Sequence, residues 1–340
     1  MRAQVVRDRF GLENLVLVNQ DSRPVGPRQV RLAMRAVSLN YRDLLMVNGQ
    51  YNPKQPLPLT PCSDGVGVVT EVGAGVTRVK VGDRVCPIFA QEWLAGDPSR
   101  EALRSTLGGP RQGTLAEEMV LDENGVVAVP GHLDDVEAAT LPCAAITAWS
   151  ALTVNATVRA GDVIVAQGTG GVSIFALQLG RLLGAEVIVT SSSDEKLARA
   201  KALGATHGIN YKTTPDWAKA VRDLTGGRGA DLIVEVGGAG TLAQSLKAVR
   251  PGGTVSVIGI LAGRTGELDL APVFMQNIRM QGVFVGHRDA FEAMNRAIAA
   301  HRLKPVVDRV FGFEEAGAAF AHLAGATHFG KIGVRVATGA

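Results

Sequence analysis

The pattern of apolar positions changes part-way along the chain. In the first hundred residues, β-branched runs alternate with short connections, as at residues 66–73, which lead into a glycine turn, and 79–85, which a Gly-Asp pair interrupts. Such runs predict a β-rich domain. From about residue 161, short apolar runs alternate with stretches of helical spacing, which predicts a parallel sheet with right-handed crossovers.

Several elements are predicted in this second region and beyond it. The strands are residues 163–166, 186–190, 231–236 and 254–260, the last preceded by a turn at 251–253, and the helices are residues 172–183 and 197–203. A helix at 289–300 and a strand at 333–336 follow. The pattern therefore predicts an α/β protein in which a doubly wound domain interrupts a β-rich one, and the C-terminal segment rejoins the first domain.

Composition narrows the class of protein. A chain of 340 residues with 46% apolar and 20% charged residues can build two packed domains. The formal net charge is only +3, so we expect neither nucleic-acid binding nor attraction to membranes. Three cysteines cannot form a disulfide scaffold, and the first residues lack the apolar core of a signal peptide. These features predict a soluble cytoplasmic enzyme.

A glycine-rich turn lies between the predicted strand 163–166 and the following helix. It reads Gly168-Thr169-Gly170-Gly171-Val172-Ser173. Glycines in this position allow a tight turn and a close approach of the backbone to a pyrophosphate, and the helix N-terminus offers free N–H groups. The turn therefore predicts a dinucleotide site, whereas the simpler alternative is an ordinary glycine turn of an α/β protein.

The end of the next predicted strand distinguishes NAD from NADP. An NAD site places Asp or Glu there, to accept a hydrogen bond from the ribose 2′-hydroxyl. Here Thr190 is followed by Ser191, Ser192 and Ser193. Hydroxyls can donate to a 2′-phosphate and Lys196 can neutralise it, so the sequence favours NADPH.

Two alternatives stay open at this strand end. Asp194, just beyond the serines, is a rival acceptor for the 2′-hydroxyl of NAD. Residues 192–195 also form a capping box that would open the next helix, and Lys196 would then be a solvated helix residue. Capping and anion binding are compatible, because a helix N-terminus is itself an anion site.

A series of short motifs runs along the whole chain. They are Asn40-Tyr41-Arg42-Asp43, Gly49, Tyr51, Asp64-Gly65-Val66-Gly67, Gly73, Gly82-Asp83-Arg84-Val85, Gly113-Thr114-Leu115-Ala116-Glu117, Thr147-Ala148, the glycine turn and Gly330-Lys331. In this order they resemble the medium-chain dehydrogenase/reductase superfamily, which includes zinc alcohol dehydrogenases and zinc-free quinone oxidoreductases. The resemblance implies a GroES-like catalytic domain, formed by residues 1–144 and 287–340, and a Rossmann NADP(H)-binding domain at 145–286.

The resemblance also bears on zinc. In the zinc enzymes of this family a Cys stands at the position of Asn40, a His–Glu pair at Ser63-Asp64, and a second Cys at the position of Cys143. One soft ligand out of three cannot make a tetrahedral zinc site, so we expect no zinc and take Cys143 as a small buried apolar residue. An improvised site that uses Cys62 beside Asp64 is the alternative.

Residues 91–113 replace the lobe that holds a structural zinc in the zinc enzymes, and they contain no Cys. This stretch carries Trp93 and Leu94 among polar residues. It is either a lid over the substrate or a surface loop.

The resemblance implies roles for further residues. Zinc-free relatives bind NADPH through a Ser near the second strand end, a Lys inside the next helix and a Tyr, and Ser192, Lys196 and Tyr211 stand at that spacing. Asn40, Tyr41 and Tyr51 are the expected catalytic donors to a carbonyl or enolate oxygen, although the two tyrosines could instead be core or rim aromatics. Asp43 and Asp64 are expected to orient their neighbours, and Arg42 to pair with one of them. The expected cofactor contacts are Thr147, Gly168, Thr169, Gly170, Gly171, Val172, Ser191, Ser192, Lys196, Tyr211, Gly259 and Lys331.

Without a metal, side-chain donors must stabilise the negative charge that develops on the acceptor oxygen. Quinones and α,β-unsaturated carbonyls delocalise that charge, so the sequence predicts an NADPH-dependent quinone or enone reductase. The alternatives are a metal-free alcohol dehydrogenase or aldehyde reductase, and a non-catalytic NADPH sensor. Residues 279–285 resemble the edge strand through which relatives dimerise, so a homodimer is expected.

Overall fold

The computed structural model describes residues 1–336. They form two compact units: Met1–Ile146 together with the segment that begins at Gly286, and Thr147–Val285. Within residues 1–336, none of the helices combines the length and the apolarity needed to cross a membrane.

The strands and helices are named here in chain order. The strands are β1 (Arg2–Val6), β2 (Leu15–Asn19), β3 (Gln29–Leu39), β4 (Asp64–Val72), β5 (Arg84–Pro87), β6 (Glu118–Asp122), β7 (Val126–Ala128), β8 (Val163–Gln167), β9 (Glu186–Ser191), β10 (His207–Asn210), β11 (Ala230–Glu235), β12 (Val249–Val257), β13 (Arg279–Gly282), β14 (Val307–Gly312) and β15 (Lys331–Arg335). The helices are α1 (Tyr41–Val47), α2 (Arg100–Leu103), α3 (Asp135–Ala139), α4 (Ile146–Trp149), α5 (Gly171–Leu182), α6 (Asp194–Ala202), α7 (Trp217–Leu224), α8 (Ala239–Ala248), α9 (Ala271–Met275), α10 (Arg288–His301) and α11 (Ala316–Ala324).

The first unit is built on a seven-stranded sheet. Its strands run in the order β14-β15-β3-β4-β5-β7, and β6 also pairs with β3. Strand β3 buries every second residue along its first part and every residue at its end, and the helices α3 and α11 pack against it. Strands β4 and β15 pair with its two edges there. Ile332 of β15 pairs with Leu39, and Asp64 of β4 pairs with Ser38. The end of β3 therefore brings together residues from three distant parts of the sequence.

The second unit is a six-stranded parallel sheet in the order β10-β9-β8-β11-β12-β13. The first strand of the unit, β8, lies in the middle, and the chain crosses to the other side of it between β10 and β11. This is the strand order of a Rossmann fold, in which ligands bind at the carboxyl ends of the strands where the winding reverses. Buried β-branched residues fill β8, β9 and β11 because both faces of a parallel sheet are covered. The predicted combination of a β-rich unit and a doubly wound unit is confirmed.

Two local predictions were wrong. Residues 79–83 are not a strand: the N–H of Lys80 donates to the Asp83 carboxylate, Gly82 has a φ of +93°, and β5 starts only at Arg84. The predicted turn at 251–253 instead lies inside β12, which runs from Val249 to Val257. Glycine at 252, with a φ of +70°, accommodates a shift of register there against β11.

Candidate functional site

The glycine-rich turn has the geometry of a pyrophosphate cradle. It connects the end of β8 to the start of α5 at Gly171, and Gly168 has a φ of +73°, which favours glycine. A Cβ atom built on Gly168 or Gly170 meets no atom within 4 Å, so the space beside the turn is open. No side chain caps the N-terminus of α5 at Gly170. The residues therefore fit an anion that is bound by backbone N–H groups.

A buried carboxylate that the sequence analysis missed ties together the two strands at the reversal point. Glu235 ends β11 and is fully buried, and its Oε1 accepts hydrogen bonds from the N–H groups of Gly237 at 2.8 Å and Gly238 at 2.9 Å. Its Oε2 accepts from Gln167 Nε2, at the end of β8, at 2.8 Å. A charged residue at the end of an apolar run, one residue before the pair Gly237-Gly238, was the available signal. The network fixes the loops on which a dinucleotide would rest.

The serines after β9 stand beside Tyr211. Ser191 pairs with Asn210 of β10, and its carbonyl accepts from the Tyr211 N–H at 3.0 Å. Ser193 caps α6 by accepting from the N–H of Lys196 at 3.3 Å. A serine of this run therefore caps the helix, but the predicted capping box over residues 192–195 is wrong, because the N-cap is Ser193 and the residue three positions on is Lys196. Ser191, Lys196 and Tyr211 thus belong to segments that meet at the end of β9.

The rival acceptor for an NAD ribose is already engaged. Asp194 Oδ1 accepts a hydrogen bond from Asn210 Nδ2 at 2.8 Å. A carboxylate has further lone pairs, but this contact holds Asp194 against β10 at the start of α6. One of the two oxygens that Asp194 could offer to a ribose hydroxyl therefore already accepts a hydrogen bond.

The remaining expected cofactor contacts of the second unit are distributed over its loops. Thr147 is buried in α4. Gly259 follows β12, where a Cβ would lie 2.4 Å from the Val236 carbonyl oxygen, so only glycine fits. Thr169, Val172 and Ser192 lie in the glycine turn, in the first turn of α5 and between β9 and α6, respectively.

A polar cluster lies at the end of β3 in the first unit. It consists of Asn40, Asp43, Ser63, Asp64 and Lys331. Except for Asn40, which is half-buried, all its members are at most 2% exposed. Lys331 Nζ donates to Asn40 Oδ1 at 2.5 Å and lies 3.4 Å from Asp64 Oδ2. Asp43 Oδ2 accepts from the Asn40 backbone N–H at 2.8 Å, and Ser63 Oγ donates to Asp64 Oδ1 at 3.1 Å. Asp43 and Asp64 were predicted to be orienting groups, whereas Lys331 was not expected to contact them.

Burial dominates the protonation equilibria of the cluster. Desolvation, opposed in part by the Arg42 guanidinium, raises the pKa of Asp43 to about 7. Desolvation also raises the pKa of Asp64, while Lys331 opposes that shift. It raises the pKa of the Cys143 thiol as well. Cys143 is only partly buried by its exposed surface, so the expectation of a buried apolar residue there was wrong, in contrast to Cys62 and Cys86, which are buried.

The two tyrosines expected to be catalytic are on the surface of the first unit. Tyr41 and Tyr51 are 44% and 45% exposed, so neither is a core residue. The Tyr51 ring centroid lies 5.1 Å from the Arg42 guanidinium carbon. Arg42 donates to the Leu107 carbonyl at 2.9 Å and stands 3.9 Å from Asp43, so it ties α1 to the segment after α2.

The segment 91–113 is anchored within the first unit. Its Trp93 and Leu94 carbonyls accept from the N–H groups of Arg288 and Asp289 at the start of α10, each at 3.1 Å. The Trp93 ring also stands edge-on to His287, with centroids 5.8 Å apart. These contacts favour the surface-loop interpretation for its first residues over a freely moving lid.

The polar cluster does not fit a zinc ion. The Asn40 amide oxygen accepts from Lys331, and the Ser63 hydroxyl donates to Asp64. A buried ammonium already supplies positive charge where a metal would stand. Among residues 1–336, no group of three or more His, Cys, Asp or Glu side chains is placed to hold a metal. A zinc site takes three or four His, Cys or carboxylate ligands, whereas this cluster has two carboxylates that already accept hydrogen bonds from Asn40 and Ser63.

Two family models and several known proteins match the chain. The alcohol dehydrogenase GroES-like domain matches residues 26–131, and the zinc-binding dehydrogenase model matches residues 171–300. The zinc-type alcohol dehydrogenase-like protein C1773.06c of Schizosaccharomyces pombe is 41% identical over 318 residues, 92% of each chain. Quinone oxidoreductase-like protein 2 of Bos taurus is 27% identical over 94% of this chain and 88% of its own.

Solved structures agree with these relatives. A putative alcohol dehydrogenase from Sinorhizobium meliloti 1021 superposes with a TM-score of 0.91 at 45% identity, over 98% of both chains. An NAD-dependent alcohol dehydrogenase gives 0.91 at 36% identity, over 99% of this chain and all of its own. Crotonyl-CoA carboxylase/reductase AntE in complex with NADP gives 0.86 at 26% identity, over 99% and 94%.

These matches, the GroES-like and Rossmann units and the dinucleotide cradle define an NAD(P)-dependent oxidoreductase. The chain belongs to the medium-chain dehydrogenase/reductase superfamily. The predicted family, fold class and enzyme type are confirmed.

Proposed function

We propose that this protein is a zinc-independent oxidoreductase that transfers a hydride from NADPH to a quinone or an α,β-unsaturated carbonyl compound. The observation that carries the proposal is the composition of the polar cluster. An amide, a hydroxyl and a buried ammonium stand at the end of β3, and they are hydrogen-bonded to one another rather than aimed at a metal. Donors of this kind suit an acceptor whose negative charge spreads over several atoms.

The choice of NADPH is supported by the end of β9. Ser191 and Ser192 offer hydroxyl donors, Lys196 offers a cation, and the Tyr211 backbone is hydrogen-bonded to the Ser191 carbonyl. Asp194, which an NAD site would use, is bonded to Asn210. One similar structure is described as NAD-dependent and another as an NADP complex, so the family admits either cofactor.

The proposed reaction follows from these roles. The bound nicotinamide supplies the hydride when it is in its reduced form. Asn40 Nδ2 donates to the acceptor oxygen as the electron pair of the hydride arrives at the acceptor, and Tyr41 and Tyr51 are the accessible hydroxyl donors near α1. A solvent proton completes the product, so that an enone becomes a saturated ketone and a quinone becomes a hydroquinone. The balance is one hydride and one proton for each NADPH oxidised.

A metal-free alcohol dehydrogenase or aldehyde reductase is the second candidate. It is favoured by the Lys331 ammonium, which adds fixed positive charge 2.5 Å from Asn40 and would help a donor to stabilise a localised alkoxide. A non-catalytic NADPH sensor is a third possibility, which would bind NADPH without oxidising it.

The second unit carries a surface suited to a second copy of the chain. All four residues of β13, an edge strand, are exposed. On α9, Phe274 is 74% and Met275 is 76% exposed. An unpaired edge beside large exposed apolar side chains supports a homodimer.

The test is oxidation of NADPH and of NADH by the purified protein in the presence of a chelator, with a quinone, an enone and an aldehyde as acceptors. We expect NADPH to be consumed with the quinone or the enone. Loss of activity in chelator would overturn zinc independence, and activity with NADH alone would overturn the role of the serines. Turnover restricted to the aldehyde would favour the second candidate, and tight NADPH binding without turnover would favour the sensor.

A further inference from the structure

The buried ammonium of Lys331 uses its three donors on protein acceptors. Lys331 is 2% exposed at the start of β15. Its Nζ donates to the Leu39 carbonyl at 2.7 Å and to Asn40 Oδ1 at 2.5 Å, and a longer contact of 3.4 Å reaches Asp64 Oδ2. The sequence predicts that Lys331 contacts the cofactor. These three contacts leave no N–H of Lys331 for that role.

The contact with Lys331 dictates how the Asn40 amide is oriented. An ammonium is only a donor, so the atom of the amide that faces it must be the oxygen. The NH₂ group therefore points away from Lys331. Its contacts in the first unit are Ser63 Oγ at 3.5 Å, at the outer limit of a hydrogen bond, and the Asp64 carboxylate. The backbone N–H of Asn40 is held by Asp43 Oδ2 at 2.8 Å, so both ends of the residue are fixed.

The charge of Lys331 acts more directly on Asn40 than on Asp64. The ammonium is 2.5 Å from the amide oxygen and 3.4 Å from the carboxylate. A cation that binds an amide oxygen withdraws electron density from it, and this makes the N–H groups of the same amide stronger donors. The effect is largest where water is excluded, and Asp64, Ser63 and Lys331 are all at most 2% exposed.

We propose that Lys331 is a positioning residue for the reduction: it fixes the Asn40 amide with its NH₂ group toward the acceptor and polarises that group, so that the amide can stabilise negative charge on the acceptor oxygen. The positive charge of Lys331 thereby reaches the acceptor through the Asn40 amide, whereas a metal would supply its charge by direct contact with the acceptor oxygen. The inference rests on the proposed function, in which Asn40 binds the acceptor oxygen.

The kinetic test compares Lys331→Met and Asn40→Ala with the double variant. We expect Lys331→Met to lower kcat by about 100-fold, the cost of a lost oxyanion donor, while KM for the acceptor and the Kd of NADPH, measured by fluorescence titration, change by less than about two-fold. In the Asn40→Ala background the same substitution should cost less than about three-fold, because the two residues act through one donor.

Each alternative gives a different result. A raised Kd for NADPH would return Lys331 to the cofactor role and overturn the inference. Equal losses in both backgrounds would mean that Lys331 is only structural. Lys331→Met could fail to fold because Asp64 is left as an unpaired buried charge. In that case the effect of Lys331→Met is measured in an Asp64→Asn background, by comparing Asp64→Asn with the double variant that carries both substitutions. Lys331→Gln, which keeps a donor but not the charge, separates positioning from polarisation.

A second readout does not need turnover. In protein labelled with ¹⁵N-asparagine, the side-chain signal that is missing from Asn40→Ala identifies the Asn40 NH₂ group. Lys331→Met should move that signal more than those of the other asparagine side chains. An unmoved signal overturns the inference even if the protein reduces quinones, whereas a moved signal without turnover would leave the inference standing and remove the proposed function.

Discussion

Lys331 Nζ and Asn40 Oδ1 form a 2.5 Å hydrogen bond across 291 positions of sequence. The bond exists because β15 pairs with the end of β3, so that Ile332 stands opposite Leu39. It places a cation against an amide at the position where the resemblance to zinc enzymes implies a cysteine. The reaction proposed for this protein depends on this contact between the Lys331 ammonium and the Asn40 amide.

Gly170 should be needed for the cofactor and not for the fold. Its φ of −78° suits any residue, and a Cβ there meets no atom within 4 Å. We expect Gly170→Ser to leave stability unchanged or slightly raised, because Ser is a good N-cap, and to weaken NADPH binding about ten-fold or more by competing for the same N–H groups. Gly131→Ser, in an equally open position of the first unit, is the control. Unchanged NADPH affinity in Gly170→Ser would remove the cradle from the site.

Lys196 should determine the preference for NADPH over NADH. Loss of a charge-assisted contact with the 2′-phosphate should raise KM for NADPH by about ten-fold or more, with KM for NADH nearly unchanged. Lys196→Ala is compared with Lys201→Ala, which removes the same charge from the last turn of the same helix. Equal effects on the two cofactors would show that Lys196 does not contact the 2′-phosphate.

Asp43 should make the protein less stable as the pH rises. Its pKa is raised from 3.8 to about 7 in the fold, so the folded protein keeps a proton that the unfolded chain releases. The contribution is complete below about pH 4, falls by up to about 1.4 kcal/mol per pH unit, and is lost above about pH 7. Urea unfolding at about pH 5 and about pH 8 should show this loss in the wild type, and a smaller one in Asp43→Asn. An identical pH dependence in both proteins would place the titration on other groups.

Phe274 should hold a dimer together. Phe274→Glu places a charge on an apolar surface and should convert the protein to a monomer, which light scattering after size exclusion detects. Leu224→Glu, on the exposed face of α7, makes the same change elsewhere and should leave the dimer intact. A wild-type protein that is monomeric at micromolar concentration would contradict the proposal directly.

The features that could be predicted are those whose residues are close together in the sequence. The glycine turn, β8, α5 and β9 were recognisable because their spacing lies within one short stretch of sequence. The roles of Lys331 and Glu235 were not, since each depends on strands that are paired only in the folded sheet. Residues 79–83 were misassigned because two valines and a lysine suggest a strand, while the Lys80–Asp83 contact makes a turn.

The pairing of β15 with β3 has a consequence for the order of assembly on the ribosome. Asp64 is synthesised early and Lys331, its buried counter-charge, only after the whole of Thr147–Val285 has been made. Until then Asp64 has no cation to accompany it into the interior, and the sheet of the first unit lacks β14 and β15. The nucleotide-binding unit, whose strands are contiguous in sequence, can close first. The nascent chain can therefore form its nucleotide-binding unit before the polar cluster that activates an acceptor is complete.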